Sequence, residues 1–238
     1  MSQIPAVPDT ELFLRTVRPA LEAGDADLLA AAVTAQWRAR EVCTLLRSHD
    51  PTVRKVAAVV LGLIGDMSVA PWLVRALRDA EVEVNRMADH GLWSIWFRAG
   101  RPEAHKPFGD GMAALACEDY TAAVALMHRA CRLDPDFAEA FNQCAIAHFF
   151  LGQWTAAVAD YRAALRRVPY HYGAMAGAGH CFAQMEQLDD AIQCYRRALW
   201  INPHMTAIRR TVDRLGHHPA EAVSAPAEPL FGPERIPG

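Results

Sequence analysis

The sequence has very little lysine. Only two of its 24 basic residues are lysines, Lys55 and Lys106, so a lysine nucleophile or a Schiff-base site has few candidates. The two signs of charge are nearly balanced, because the sequence has 27 acidic residues and 24 basic ones. The sequence therefore lacks the strongly basic domain that is typical of nucleic-acid binding, and we do not expect nucleic acid as a partner.

Long apolar segments and targeting features are also missing. The longest apolar run, residues 56–64, is about half the length needed to cross a bilayer. Residues 1–10 contain two prolines and no basic stretch followed by an apolar core, so they do not resemble a secretory signal. The six cysteines form no Cys-x-x-Cys pair, and we expect them to be reduced thiols. Together these features predict a cytoplasmic protein without a membrane partner.

Motifs for catalysis are absent as well. The sequence contains no G-x-S-x-G, no H-E-x-x-H and no glycine-rich nucleotide motif. Its two glycine clusters, Gly62-x-x-Gly65 and Gly177-Ala178-Gly179, are typical of helix turns and close helix packing. We therefore predict a protein that is not an enzyme and that needs no cofactor.

What the sequence does contain is a repeat in its second half. Pro135, Pro169 and Pro203 are evenly spaced and define a 34-residue interval. Other sets of positions, which we call columns, recur at the same 34-residue interval. Each column holds one kind of side chain: small, β-branched or large. These columns are Ala123, Ala157 and Ala191; Ala130, Ala164 and Ala198; Val124, Val158 and Ile192; and Met127, Tyr161 and Tyr195. The agreement predicts one helix pair in each interval.

Residues 138–171 carry the fullest version of the pattern. Its characteristic positions are Phe141, Ala145, Gly152, Trp154, Ala157, Tyr161, Ala164 and Pro169. In period and residue type this pattern resembles the tetratricopeptide repeat. Alanines let two antiparallel helices approach closely, while Gly152 can end the first helix in the left-handed conformation and Pro169 can stop the second.

The ends of this repeat array differ from its centre. In the first repeat, residues 104–137, Pro107 and Gly109 fall inside the expected first helix, so we predict that this helix begins at about Pro107 or later. After the third repeat, residues 206–215 have apolar side chains at helical spacing and charged residues on the other side. They are typical of the capping helix that closes such an array.

A second, 31-residue period occurs upstream. It relates Leu46 to Leu77, Val53 to Val84, Ala57 to Ala88, Leu61 to Leu92 and Ile64 to Ile95. With Asp50 and Asp66 as expected N-caps and Pro51 at a first helical position, the segment resembles the short HEAT-like repeat of phycobilisome-lyase-type proteins. We predict an earlier, degenerate copy at residues 25–50 and a leading helix at residues 10–23 that Pro19 kinks or ends.

These periods predict an all-α protein. The expected architecture is an α-solenoid of antiparallel helix pairs, with HEAT-like repeats followed by three tetratricopeptide repeats and a capping helix. The predicted divisions are an N-terminal extension at 1–24, the HEAT-like block at 25–100, the tetratricopeptide block at 101–216 and a disordered, proline-rich tail at 217–238.

One pair of side chains has metal-ligand spacing. Cys144 and His148 are four residues apart on a predicted helix, and His180 and Cys181 lie in the next repeat. A free cysteine also behaves as a small hydrophobic residue in a helical core. We favour the core interpretation and predict no metal site.

The resemblance to tetratricopeptide repeats implies a binding groove lined by the first helix of each pair. The residues expected to face it are Met112, Leu115, Glu139, Asn142, Ile146, Phe149, Phe150, Ala176, His180, Ala183 and Gln184. Only Asn142 is of the type that clamps a C-terminal carboxylate in chaperone adaptors. An amphipathic helix or an extended apolar peptide is therefore the expected occupant. In the alternative, the HEAT-like block, residues Leu230 and Phe231 of the tail or a second copy of the chain, as in a homo-oligomer, covers the groove.

Three functions follow from these features. The leading one is a cytoplasmic scaffold or adaptor that binds a protein or peptide partner. A chromophore-lyase-like accessory protein is the alternative that the HEAT-like resemblance suggests, although fold does not carry function with it. Binding to a nucleic-acid backbone is the third, because some HEAT-like arrays hold duplexes.

Overall fold

The computed structural model describes residues 7–215, and every regular element in that range is an α-helix. The predicted all-α fold is confirmed. None of the described helices is both long and apolar enough to span a membrane. The chain divides after Arg98 into two compact units, which we call unit 1 and unit 2. The predicted tail, with Leu230 and Phe231, lies outside the described residues.

The described part of unit 1 contains six helices, and four of them form two pairs that repeat at the predicted interval. The pair α3 and α4 recurs as α5 and α6, because Ala39 and Ala70 begin the first helices and Pro51 and Val82 begin the second ones, each time with the 31-residue spacing. The helices are α1 (Thr10–Ala23), α2 (Ala26–Thr34), α3 (Ala39–Leu45), α4 (Pro51–Ile64), α5 (Ala70–Ala76) and α6 (Val82–Arg98).

The leading helix has the predicted bounds, and Pro19 does not end it. Asp9 caps the N-terminus of α1 by accepting a hydrogen bond from the Leu12 amide at 2.7 Å, and Gly24 ends the helix at φ 65°. Pro19 lies inside the helix. A proline removes one backbone hydrogen bond, and the buried side chains of Phe13 and Val17 hold the helix against its neighbours in spite of that loss.

Of the two N-caps predicted in unit 1, one is present and the other is not. Asp50 caps α4 as predicted, since its carboxylate accepts from the Thr52 amide at 2.8 Å. The prediction for Asp66 is wrong, because α5 begins only at Ala70 and its N-cap is Val69. Asp66 instead accepts a hydrogen bond from the Ser68 amide at 2.8 Å and stabilises the turn before the helix.

Helices α4 and α6 pack closely at two glycines. A β-carbon on Gly62 would lie 2.7 Å from the Gly91 Cα, so the two backbones approach each other where neither has a side chain. The Arg98 guanidinium donates to the carbonyls of Gly62 and Gly65 at 2.7 and 3.2 Å, which satisfies backbone groups at the end of α4.

In its described part, residues 99–215, unit 2 contains three successive helix pairs followed by one more helix. The pairs are α7 with α8, α9 with α10 and α11 with α12, and α13 packs against α12. Helix α9 also contacts α7 and α11, so the first helices of the three pairs lie side by side. The helices are α7 (Pro102–Ala116), α8 (Tyr120–Leu133), α9 (Ala138–Phe150), α10 (Trp154–Arg167), α11 (Tyr172–Gln184), α12 (Leu188–Ile201) and α13 (Thr206–Leu215).

The first helix of unit 2 begins earlier than predicted. Helix α7 starts at Pro102, which occupies a tolerated first-turn position, and it continues through Pro107. The prediction of a start at Pro107 or later is therefore wrong. Pro107, Phe108 and Ala104 are all buried, and we attribute the persistence of the helix to this burial, which outweighs the single backbone hydrogen bond lost at Pro107.

The columns of alanine form the interior of each pair. All six alanines of the two predicted columns are fully buried, and Met127, Tyr161 and Tyr195 beside them are buried too. Close approach again requires glycine, since a β-carbon on Gly179 would lie 2.6 Å from the Tyr195 ring. The glycine clusters predicted to serve helix packing do so.

A left-handed residue ends the first helix of every pair in unit 2. Gly152 takes this conformation at φ 72°, as predicted, and the Gln153 amide donates to the His148 carbonyl at 2.9 Å across the turn. The equivalent positions one repeat before and after are Glu118 and Glu186, at φ 59° and φ 62°. Two of the three turns therefore hold a side chain where glycine is less strained.

Candidate functional site

The predicted groove residues fall into three groups by exposure. Phe150, His180 and Gln184 are exposed, and a second group is partly exposed: Met112, Leu115, Ile146, Phe149 and Ala183. A third group is buried: Glu139, Asn142 and Ala176. We call the first two groups together the α7/α9/α11 surface, because they lie on the first helices of the three pairs.

Phe150 is the most prominent side chain of this surface. It is 58% exposed at the C-terminal end of α9, an otherwise largely buried helix. Its ring stacks on Tyr120 with centroids 4.9 Å apart and planes 12° from parallel, and it meets the Phe149 ring edge-on at 5.7 Å. Tyr120, at the start of α8, therefore belongs to the surface although its sequence position did not indicate this.

His180 is held in place by the interior of its own pair. The Tyr195 hydroxyl and the His180 Nδ1 share a hydrogen bond of 2.9 Å, and burial raises the pKa of Tyr195 to about 12. The imidazole packs edge-on against the Tyr195 ring with centroids 5.3 Å apart. The α11 edge of the surface thus presents a fixed, polar side chain next to the partly exposed Ala183.

Glu139 and Asn142 do not face a partner, which corrects the sequence prediction for both. Glu139 is 1% exposed, and its Oε1 accepts from Asn142 Nδ2 at 2.9 Å and from Gln143 Nε2 at 2.6 Å. Its Oε2 accepts from His171 Nε2 at 2.8 Å. These hydrogen bonds satisfy a carboxylate inside the protein, so the side chains turn inward.

His171 completes this buried network from the next repeat. It is fully buried, and its Nδ1 accepts from the Ala174 amide at 3.1 Å, which caps the N-terminus of α11. One imidazole thus connects the carboxylate of Glu139 to the first turn of another helix. The equivalent positions one repeat before and one repeat after His171 hold the apolar Phe137 and Met205. A histidine at a position that is otherwise apolar is the sequence signal for this network.

A second polar cluster lies within α8, α9 and α10. It consists of His128, Cys144, His148 and Asp160, whose ligand atoms all lie within 4.8 Å of one another. His148 Nε2 is 3.6 Å from Asp160 Oδ2, and the two imidazole centroids are 5.8 Å apart. Burial raises the pKa of the Cys144 thiol and also that of Asp160. The spacing of Cys144 and His148 was visible in the sequence, but His128 and Asp160 lie on other helices and gave no such signal.

The comparisons with known proteins identify a repeat within unit 2. The profile of the tetratricopeptide repeat family matches residues 174–205, which include most of α11 and all of α12. A tetratricopeptide repeat is therefore present, as the 34-residue interval predicted. The predicted resemblance of unit 1 to HEAT-like repeats stays a prediction.

Solved structures also resemble the chain. The first TPR domain of human RPAP3 is 18% identical, covers 48% of this chain and 90% of its own, and gives a TM-score of 0.47. The TPR domain of Sgt2 from Aspergillus fumigatus is 23% identical over 54% and 93%, with a TM-score of 0.47. YrrB, a TPR protein with an unusual peptide-binding site, is 17% identical over 86% and 92%, with a TM-score of 0.45.

Proposed function

We propose that the protein is a non-catalytic scaffold that binds a protein or peptide partner on the α7/α9/α11 surface. The observation that carries the proposal is the exposure of Phe150 together with the partial exposure of Phe149 and Ile146 on one helix. Exposed aromatic clusters are typical of protein-binding sites, since their burial against a partner supplies most of the binding energy.

The chemistry of the surface favours an apolar occupant. Its members are mainly aliphatic and aromatic, from Met112 and Leu115 on α7 to Ala183 on α11. Asn142, the one residue suited to clamping a terminal carboxylate, is 2% exposed and bonded to Glu139. The proposed occupant is therefore the apolar face of an amphipathic helix or an extended apolar peptide, recognised by side-chain burial.

The experiment compares the proteins recovered by affinity purification from native cells with the unchanged chain and three variants. In the first variant Ile146→Glu is combined with Phe149→Glu, and in the second Phe150→Glu changes the most exposed ring alone. The matched control is Trp200→Glu, because Trp200 is a large apolar side chain, 37% exposed, on the second helix of its pair. Helix content from circular dichroism must be equal in all forms.

We expect both surface variants to lose the same set of proteins and the Trp200 variant to keep it. Burying a carboxylate against an apolar partner is costly, so even the single change should reduce recovery at least tenfold. If the surface variants, still folded, recover what the unchanged protein recovers, the proposal is wrong.

A further inference from the structure

Three helices of unit 2 bring four metal-ligand side chains to one place. His128 comes from α8, Cys144 and His148 come from successive turns of α9, and Asp160 comes from α10. Their potential ligand atoms lie within 4.8 Å of one another. Cys144 is fully buried, whereas His128 is exposed, so the cluster reaches from the interior to the solvent.

The imidazole of His148 already has the orientation that a ligand needs. Its Nδ1 lies 2.6 Å from Gln153 Oε1, and because an amide oxygen can only accept, the Nδ1 carries the proton. In the neutral imidazole the Nε2 then presents its lone pair toward Asp160, 3.6 Å from Oδ2. A second hydrogen bond that fixes the tautomer in this way accompanies almost every histidine that binds a metal. Gln153 makes this bond instead of capping α10.

The following repeat shows that helix packing does not require this polar set. One 34-residue interval further on, the positions of Cys144, His148 and Asp160 hold residues that are all buried and uncharged: Ala178, Phe182 and Cys194. The same fold is therefore built with an apolar interior at these positions in the third pair. The imidazole, the thiol and the carboxylate that the second pair holds at these positions, next to His128 of the preceding pair, need a different explanation.

We propose that His128, Cys144, His148 and Asp160 bind one Zn²⁺ ion. A thiolate, two imidazoles and a carboxylate are the ligand types that Zn²⁺ takes, and four of them complete a closed, tetrahedral structural site. Ligand atoms around tetrahedral zinc are about 3.3–3.8 Å apart, as zinc bonds of about 2.0–2.3 Å require. The cluster needs to contract by about 1 Å to reach that geometry, which the exposed His128 side chain can provide. The Cys144 thiol loses its proton to solvent as the zinc–sulfur bond forms.

Such an ion would fasten two successive helix pairs together. Helices α9 and α10 form one pair, while α8 belongs to the pair before it. A structural zinc stabilises the folded state by the free energy of its binding, so the apo and zinc forms should unfold at different temperatures. The site shares no residue with the buried Glu139 and His171 network and requires no partner protein.

The test uses the purified full chain, stripped with a chelator and then titrated with Zn²⁺ in competition with a chromophoric indicator. We expect one ion per chain and a raised unfolding temperature. Titration with Co²⁺ should give visible bands of a tetrahedral ion and a near-ultraviolet thiolate charge-transfer band. The Cys144→Ala variant should lose the thiolate band, and the control Cys194→Ala, which removes another buried cysteine, should keep it.

Two more variants separate ligand loss from damage to the fold. His128→Ala changes an exposed side chain and should lower zinc affinity at least tenfold without loss of helix content. Gln153→Ala leaves all four ligands in place and should lower the affinity by about 10- to 100-fold. A double change of His217 and His218 to alanine, in a histidine pair of the sequence outside the described residues, should have no effect.

The proposal is overturned by any of three results. These are the absence of stoichiometric zinc binding, a Co²⁺ spectrum that is unchanged in folded Cys144→Ala or His128→Ala protein, and loss of binding in the His217 and His218 double variant.

Discussion

The two units are built from helix pairs in the same way but differ in what their interiors contain. Eight polar or charged residues are buried among the described residues, and only one of them, Asn85, lies in unit 1. The other seven lie in unit 2: Asp134, Glu139, Asn142, Gln143, His148, His171 and Asn202. Repetition of helix pairs alone therefore does not require a polar interior. The buried polar groups of unit 2 have additional structural roles.

One of these groups links the two helices of a pair, and another links successive pairs. Asp134 accepts hydrogen bonds from the amides of Arg101 and Asp136, and His171 joins Glu139 to the start of α11. Unit 1 has the close backbone contact of Gly62 with Gly91 and a largely buried ion pair, Arg54 with Asp79. Hydrogen bonds fix an orientation more narrowly than apolar contact does, so we expect unit 2 to hold its helix pairs in a better-defined register.

The largest expected effect is in the buried network of unit 2. Glu139→Ala leaves donors on Asn142, Gln143 and His171 without their acceptor, and each buried unsatisfied donor costs about 1–3 kcal/mol. We expect the free energy of unfolding of unit 2 to fall by about 3 kcal/mol or more. Hydrogen exchange measured on peptides from each unit checks this, with a smaller loss expected for Glu139→Gln. Equal loss of protection from exchange in both units would contradict the claim that the Glu139 network stabilises unit 2 in particular.

The corresponding change in unit 1 is Gly62→Ala. The added β-carbon meets the Gly91 backbone, which cannot move aside as a flexible side chain can. Overpacking of this kind costs about 1–3 kcal/mol, so peptides of unit 1 should lose protection from exchange and those of unit 2 should not. The control Gly109→Ala places a β-carbon in open space on α7 and should not destabilise the protein.

A smaller effect is expected at the ion pair of unit 1. Arg54 donates from Nε and Nη2 to the two carboxylate oxygens of Asp79 at 2.7 and 2.8 Å, and both side chains are mostly buried. Arg54→Ala should cost about 1.5 kcal/mol in urea unfolding, and Arg54→Lys, which lacks the paired donors, should recover only part of it. The exposed pair of Arg86 with Glu83 is the control and should have almost no effect.

The ion pair of Arg54 with Asp79 also predicts that the stability of the protein depends on pH. The hydrogen bond from Arg54 lowers the pKa of Asp79 below its ordinary value of about 4. The stability that this carboxylate contributes is thus complete above about pH 4 and is lost as the pH falls through the lowered pKa. In Asp79→Asn protein that part of the acid-induced loss should be missing. An unchanged acid profile would mean that the pair contributes nothing.

The smallest effects concern the left-handed turns of unit 2. Glu186→Gly relieves a strained conformation and should stabilise unit 2 by about 1 kcal/mol, whereas Gly152→Ala should destabilise it by a similar amount. Thermal unfolding of the two variants checks the opposite signs. A loss of stability in Glu186→Gly protein would show that the side chain outweighs the strain.

Most of the fold could be predicted because it depends on local periodicity. The 34-residue and 31-residue intervals located the helix pairs, and the ends of α1 and α13 and the start of α4 follow the predicted boundaries. The failures at Pro107 and Asp66 have a common cause. Proline and aspartate both strongly favour the first positions of a helix. Burial around Pro107 nevertheless lets α7 begin before it, and a turn at Asp66 delays the start of α5.

The site was harder to predict than the fold. A position in the tetratricopeptide repeat pattern indicates on which helix face a residue lies. It does not show whether a carboxylate such as Glu139 turns inward to a histidine in the next repeat. The cluster around Cys144 has the same difficulty, because His128 and Asp160 come from other helices. Contacts between helices depend on packing angles, and the spacing of residues along one helix does not contain them.

The central claim, binding of a partner on the α7/α9/α11 surface, is tested most directly by cross-linking at single positions. A photoreactive phenylalanine analogue is placed at Phe150 in one form of the protein and at Trp200 in another, and both are irradiated in native cells. We predict a defined protein adduct from position 150 and none, or only diffuse products, from position 200. A defined adduct from position 200 alone would contradict the account.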